Sequence, residues 1–209
     1  TQLMTGVALL TVLITLPATA AENTFVARGV VFHDKNQNGK RDRDELGLGD
    51  ICVSNGYDVV RTDKRGRYEL TIDNRDAVVF VIKPRGYRPP LNKHNLPQFH
   101  YVHKPKGSPK GLKYRGVMPT GPLPKSVDFP LQKYAEPDEF KVVMFGDPQP
   151  NNLGDINHMA NDVIHELIGT DAAFGMALGD LMADQLDLFK PYNRVMARLG
   201  IPMWNVSGN

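Results

Sequence analysis

From Phe140 to its last residue the chain alternates strand-length apolar runs with helix-length amphipathic runs, and that order leaves few folds open. Val142-Val143-Met144-Phe145 is too short and too uniformly apolar for a surface helix. Asp155–Ile168 then carries Ile156, Met159, Ala160, Val163, Ile164, Leu167 and Ile168 at helical spacing. Ala173–Leu178 predicts a second strand. The stretch from Gln185 to Leu199 predicts a second helix on Leu186, Leu188, Phe189, Val195, Met196 and Leu199, and Ile201–Val206 a third strand. Strand-helix-strand-helix-strand calls for parallel strands joined by right-handed crossovers.

Each of these strands ends in an oxygen-bearing side chain. Asp147 and Gln149 follow the first, Asp180 the second and Asn209 the third, with Gly146, Gly179 and Gly208 just before. In open α/β sheets that edge is where ligands bind. One Gly-Asp pair means little, because turns and caps use it constantly; three in register outline a metal site. A nucleotide-binding α/β domain would need a glycine-rich phosphate loop after the first strand, and Gly146-Asp147-Pro148-Gln149-Pro150 is not one.

These motifs resemble the calcineurin-like metallophosphoesterases, whose signature runs Asp-x-His, Gly-Asp-x-x-x-Asp, then Gly-Asn-His. Here Gly146-Asp147-Pro148-Gln149 takes the first place, Gly179 to Asp184 the second, and Gly208-Asn209 begins the third. The resemblance implies that Asp147 and Gln149 bind one metal, that Asp180 bridges two, that Asn209 binds the second, and that Asp184 holds the loop geometry. It also implies two divalent ions (Mn, Mg, Fe or Zn) that activate water for in-line attack on a phosphoester. The departure is Gln149 in place of His; an amide oxygen is a harder donor and shifts preference toward Mn, Mg or Ca. The leaving-group acid of the family is the histidine expected just beyond Asn209, so no catalytic residue is assigned within the chain.

Before Phe140 the texture is different. Phe25–Phe32, Ile51–Ser54, Tyr57–Thr62, Tyr68–Ile72 and Ala77–Lys83 read as short strands punctuated by Asn55-Gly56, Asp63 to Gly66 and Asp73-Asn74. They predict a small sandwich. Between the first two lies Asp34 to Glu45, which fits the calcium-loop pattern: oxygen side chains on Asp34, Asn36, Asn38, Asp42 and Glu45, a backbone ligand at Lys40, and Gly39 for the sharp turn. A polar turn holding no ion is the alternative. The strand-like flanks and Arg41 argue against a helical EF-hand. The stretch resembles the calcium-binding, immunoglobulin-like B repeats of bacterial surface adhesins, which implies an ion that stiffens the module and does no chemistry.

Charge separates the two parts. The chain has a net charge of only +2, no general case for nucleic-acid binding, yet Lys83 to Lys125 holds ten of the 25 basic residues and no Asp or Glu. The same stretch holds nine of the 16 prolines, which fit neither a helix interior nor a central strand. It is expected to be an extended connector, and its charge either attracts an anionic substrate or is simply solvated. His100 and His103 have no neighbouring carboxylates and are not expected to form a metal site.

At the start, Val7 to Leu16 is an uncharged apolar run followed by Pro17 and Ala18-Thr19-Ala20, the pattern of a signal peptide cut after Ala20 or Ala21. It is too short to span a bilayer, so no stable membrane anchor is expected. Export makes the lone Cys52, between Ile51 and Val53, a buried strand thiol. The missing initiator methionine and the interrupted third motif lead to the expectation of a fragment.

The resulting layout is a truncated signal peptide over 1–21, a calcium-binding Ig-like sandwich over 22–88, a basic linker over 89–136, and the α/β start of a metallophosphoesterase sandwich over 137–209. The expected protein is a periplasmic or secreted bacterial phosphoesterase when complete, with a phosphoester substrate. The alternative is a non-catalytic, calcium-stabilised secreted binding module.

Overall fold

A computed structural model describes residues 24–208. The signal-peptide reading of 1–21 and the metal ligand expected at Asn209 lie outside the described residues.

Two four-stranded sheets enclose the first core. β1 (Thr24–His33) is its spine: it pairs antiparallel with β4 (Arg67–Asp73) from Thr24 to Val30, then parallel with β8 (Phe129–Lys133) from Val31 to His33. β6 (Tyr87–Arg88) completes this sheet beside β8. The second sheet runs β3 (Val59–Arg61), β2 (Cys52–Ser54), β5 (Ala77–Val81), β7 (His100–His103). In β4 Tyr68, Leu70 and Ile72 point inward while Arg67, Glu69 and Thr71 face water, the period of two that a half-buried strand demands. They meet Ala27 and Val31 from β1, Val53, Val79 and Val81 from the other sheet, and Phe129 and Leu131 from β8.

The stretch from 89 to 136, expected as a linker, is structured and belongs to both sheets through β7 and β8. Pro130 lies inside β8, a strand with neighbours on both sides, against the expectation that proline avoids such places. The reason is register: β6 reaches only Gln132 and Lys133, so Pro130 sits past the end of that ladder and its missing N–H forfeits no bond there. The returning chain also crosses β1 closely. Val127 donates its N–H to the Arg28 carbonyl at 2.7 Å, and the Tyr68 hydroxyl donates to the Val127 carbonyl at 2.7 Å. Burial pushes the Tyr68 phenol well above its ordinary pKa. Cys52 is in β2 as expected, but half-buried rather than buried.

The second unit is a three-stranded parallel sheet in the order β11 (Met203–Asn205), β10 (Phe174–Ala177), β9 (Val142–Phe145). After β9, α1 (Leu153–Met159) continues through a π-helical turn (Ala160–Ile164) into α2 (His165–Leu167). After β10, a 3-10 turn (Leu186–Leu188) leads into α3 (Phe189–Met196), and a second (Ala197–Leu199) ends at left-handed Gly200. Ile156, Ile164, Tyr192, Met196 and Leu199 pack on Ala177 and Met203 to form the second core. None of the described helices is long and apolar enough to cross a membrane.

A loop in the middle stretch clamps the two units. Asn95 donates from Nδ2 to the Ala197 carbonyl (3.0 Å) and accepts from the Met203 N–H (2.9 Å), while the Phe99 ring lies 5.2 Å from that of Trp204. Lys83 also bonds Glu136, which accepts the Gly86 N–H as well.

A methyl group on Gly29 would sit 1.8 Å from the Val127 carbonyl oxygen, and no flexible side chain is there to yield. Gly29→Ala is therefore expected to cost about 1–3 kcal/mol, read as a lowered urea midpoint. The Lys83 ammonium holds the Glu136 carboxyl below the usual range. Its contribution is complete above the ordinary glutamate pKa and lost as pH falls through the lowered folded value. The stability gap between the parent and Glu136→Gln, measured by urea titration, should shrink steadily on acidification below about pH 4.3.

Candidate functional site

Parallel register brings the three strand ends level. Ala177 of β10 stands opposite Phe145 of β9 on one side and Asn205 of β11 on the other. The next residues out are therefore Gly146-Asp147, Leu178-Gly179-Asp180 and Val206-Ser207-Gly208.

Asp180 and Gln149 meet directly. The Gln149 side chain donates from Nε2 to Asp180 Oδ2 at 2.5 Å, and its backbone N–H donates to the Asp180 carbonyl at 3.1 Å. The third strand end is just as close, since a methyl group on Gly208 would fall 1.8 Å from Asp180 Oδ1. Only glycine fits there. Asp147 and Gln149 are exposed and Asp180 half-buried. Asp184 is exposed, and among the described residues it makes no hydrogen bond to Asp147, Gln149 or Asp180.

Backbone strain gathers at the same edge. Asp147, Gln149 and Asp180 have φ of 38°, 32° and 41°, left-handed values that cost a side-chain-bearing residue energy. The bends turn the chain sharply as it leaves β9 and β10. Beyond them Asn152 caps α1 by accepting the Asp155 N–H, and the Asn151 N–H bonds the Asp155 carboxylate and holds its pKa below the usual value.

The donors fit a hard cation: two carboxylates and an amide, all oxygen-bearing, on one open edge. Rotating the Gln149 amide by half a turn would replace the NH2 that now faces Asp180 with its carbonyl oxygen. Among the described residues no three His, Cys, Asp or Glu side chains are gathered tightly enough to hold an ion, so the set depends on its amide as well as its acids.

The oxygen-rich loop is a second candidate, built locally. β1 runs straight into it, and bonds from His33 N–H to Leu46 and from Leu48 N–H to Val31 close its base. Asp34 and Glu45 are 1% and 3% exposed. Asp34 accepts the N–H groups of Asn38 and Gly39, and Glu45 those of Lys35 and Asp42. Asn36 and Asn38 donate to Asp42 at 2.7 and 2.9 Å, linking the carboxylates through amides rather than face to face. Gly39 has φ 71°, as the turn requires, and the Lys40 N–H is held by Asn38.

His100 is exposed, whereas His103 is wholly buried with Nε2 3.2 Å from Asn74 Oδ1.

Residues 35–116 match the family model described as the N terminal of calcineurin-like phosphoesterase. That match supports the calcineurin-like phosphoesterase family. It covers the oxygen-rich loop, β2 to β7 and part of the basic stretch, and it stops well short of the Asp147–Asp180 edge. The strand-end motifs therefore point to the same family from residues the match does not use. The match suggests a hydrolase, and the matched family generally uses divalent metals. No curated protein matches the chain.

The spacing of residues concealed two features: the backbone bond from Gln149 to Asp180, and the Asn95 clamp. An Asn followed by a proline two residues on announces a turn, but not that its amide reaches α3's exit.

At Asp147, which makes no hydrogen bond among the described residues, glycine relieves strain and alanine does not. Asp147→Gly is expected to be about 1 kcal/mol more stable than Asp147→Ala, measured by denaturant unfolding.

Proposed function

We propose that the chain belongs to an exported, metal-dependent phosphoesterase, with a dinuclear centre at the C-terminal edge of the parallel sheet. The observation that carries this is the direct Gln149–Asp180 contact, with Gly208 pressed against the same carboxylate. Supporting it are the family match over 35–116 and the three ordered motifs over the remainder. Asp147, Gln149, Asp180 and Asn209 would hold the two divalent ions, with Asp180 shared between them. When bound, the two ions supply an activated water and charge neutralisation at phosphorus. Asp180 is half-buried beside three left-handed turns, so its carboxylate is presented in a fixed direction. The open edge leaves room for a phosphomonoester or diester.

The Asp34–Glu45 loop takes Ca²⁺ in this reading, on Asp34, Asn36, Asn38, Asp42, Glu45 and the Lys40 carbonyl, and the immunoglobulin-like sandwich around it is a structural module. Two of its four acids, Asp34 and Glu45, are buried with their oxygens turned into the loop, whereas a solvated polar turn would expose them.

Hydrolysis of p-nitrophenyl phosphate and bis-p-nitrophenyl phosphate with Mn²⁺ tests the proposal. The gene-encoded protein should turn over at least one of them, and Asp180→Ala should lower kcat/KM by about a hundredfold or more. The 209-residue chain should bind Mn²⁺ by calorimetry and turn over poorly or not at all. Absence of Mn²⁺ binding together with an inactive gene-encoded protein would overturn the assignment. Separately, Ca²⁺ at about a hundred times its Kd should stabilise the chain by about 2.7 kcal/mol in thermal unfolding. Asp34→Ala should abolish that increment.

A further inference from the structure

The exposed loop between Lys104 and Thr120 has a built base and an unpartnered tip. Lys104 accepts the N–H groups of Gly107 and Thr120 on its carbonyl, and its own N–H bonds the Thr120 hydroxyl. Higher up, Ser108 and Val117 are tied twice: Ser108 N–H to the Val117 carbonyl at 2.8 Å, and Val117 N–H to the Ser108 hydroxyl at 2.9 Å. A chain pinned this way presents its tip in one arrangement.

That tip mixes cationic and aliphatic side chains, and its contacts are internal to the loop: the Arg115 guanidinium donates to the Met118 sulfur at 3.0 Å, and the Lys113 ammonium lies 5.0 Å from the Tyr114 ring centre. Lys106, Lys110, Lys113 and Arg115 are exposed, and among the described residues no carboxylate pairs with any of them. The nearby Lys104 does have a carboxylate, Asp76, so pairing is the local habit that the tip breaks. Leu112, Val117 and Met118 are 54%, 43% and 55% exposed within the same loop. Single exposed apolar residues are ordinary; three within one cationic loop are a surface feature.

We propose that this loop docks on an anionic phospholipid surface, the cations meeting headgroup phosphates and Leu112, Val117 and Met118 entering the boundary between headgroups and acyl chains. Charge complementarity selects an anionic partner. The aliphatic side chains select a bilayer over a soluble polyanion, because a polyanion offers no apolar depth to receive them. Each basic residue near such a surface adds attraction that salt screens. The contact is peripheral and reversible, and it rests on none of the residues assigned to the phosphoesterase site.

Co-sedimentation of the full chain with vesicles tests this, comparing pure phosphatidylcholine with a mixture containing phosphatidylglycerol. Circular dichroism checks that each variant is folded. Binding should be at least about tenfold stronger to the phosphatidylglycerol vesicles and should weaken as salt is raised. Replacing Lys106, Lys110, Lys113 and Arg115 with Gln should lower it about tenfold or more, and Leu112→Ser with Met118→Ser about threefold or more. The proposal is overturned by equal binding to both vesicles, or by loop variants that bind like the parent. It is also overturned if the charge variant alone loses binding and polyphosphate captures the parent and the serine variant alike, which would assign the loop to a soluble polyanion.

Discussion

Parallel pairing of β10 with both neighbours is the constraint on which the candidate centre depends. A parallel ladder points every strand the same way, so every C-terminal end opens on one edge. Register does the rest: with Ala177 level with Phe145 and Asn205, the next few residues of three distant segments emerge within bonding range. A slip of one residue would turn Ala177 and Met203 out of the core. The packing of those two side chains under α1 and α3 therefore also holds Asp180 beside Gln149.

Where the strands end, the structure accepts strain and close approach together. Three side-chain-bearing residues adopt left-handed backbone, and Gly208 lies so near Asp180 that a methyl group would overlap its carboxylate. Neither helps folding. Each left-handed residue costs on the order of 1 kcal/mol, and tight contact with a carboxylate restricts the chain further. Such features persist where surrounding structure over-determines them, and here the two crossovers and the Gln149 backbone bond to Asp180 do so. Sequence alternatives without strain were open at all three positions, with glycine the simplest. That Asp, Gln and Asp stand there instead agrees with a need for their oxygens.

Much of this was legible before any coordinates. Outside the middle stretch, where β6, β7 and β8 were not foreseen, the strand and helix periods located the elements to within a few residues, because one-sided burial imposes a period of two or 3.6. The oxygen-rich loop was legible because its partners lie within twelve residues, so local spacing implied the convergence of Asp34 and Glu45. The basic middle was misread for the opposite reason. Its strands are short, their partners are far along the chain, and prolines normally argue against pairing. Pro130 escapes that rule only because β6 stops short, a fact about a different segment. Asp184 was placed beside the centre by motif position alone, and its side chain is exposed.

The middle stretch also explains how two cores become one molecule. Its charge suggested solvation, yet the uncharged residues within it do the joining: Leu96 packs into the second core, Asn95 bonds both the exit of α3 and the start of β11, and Phe99 meets Trp204. Further along, Val127 and Phe129 return the chain to the first core across β1. The lysines and arginines are thus carried between anchor points, exposed because the apolar residues beside them are engaged. Past Lys104 this arrangement lapses: Leu112, Val117 and Met118 are exposed, and among the described residues no carboxylate pairs with the charges around them. An apolar group left in water and a cation left unpaired are each tolerable alone. Their concentration in a single loop with a doubly hydrogen-bonded base is what separates that tip from an ordinary solvated turn.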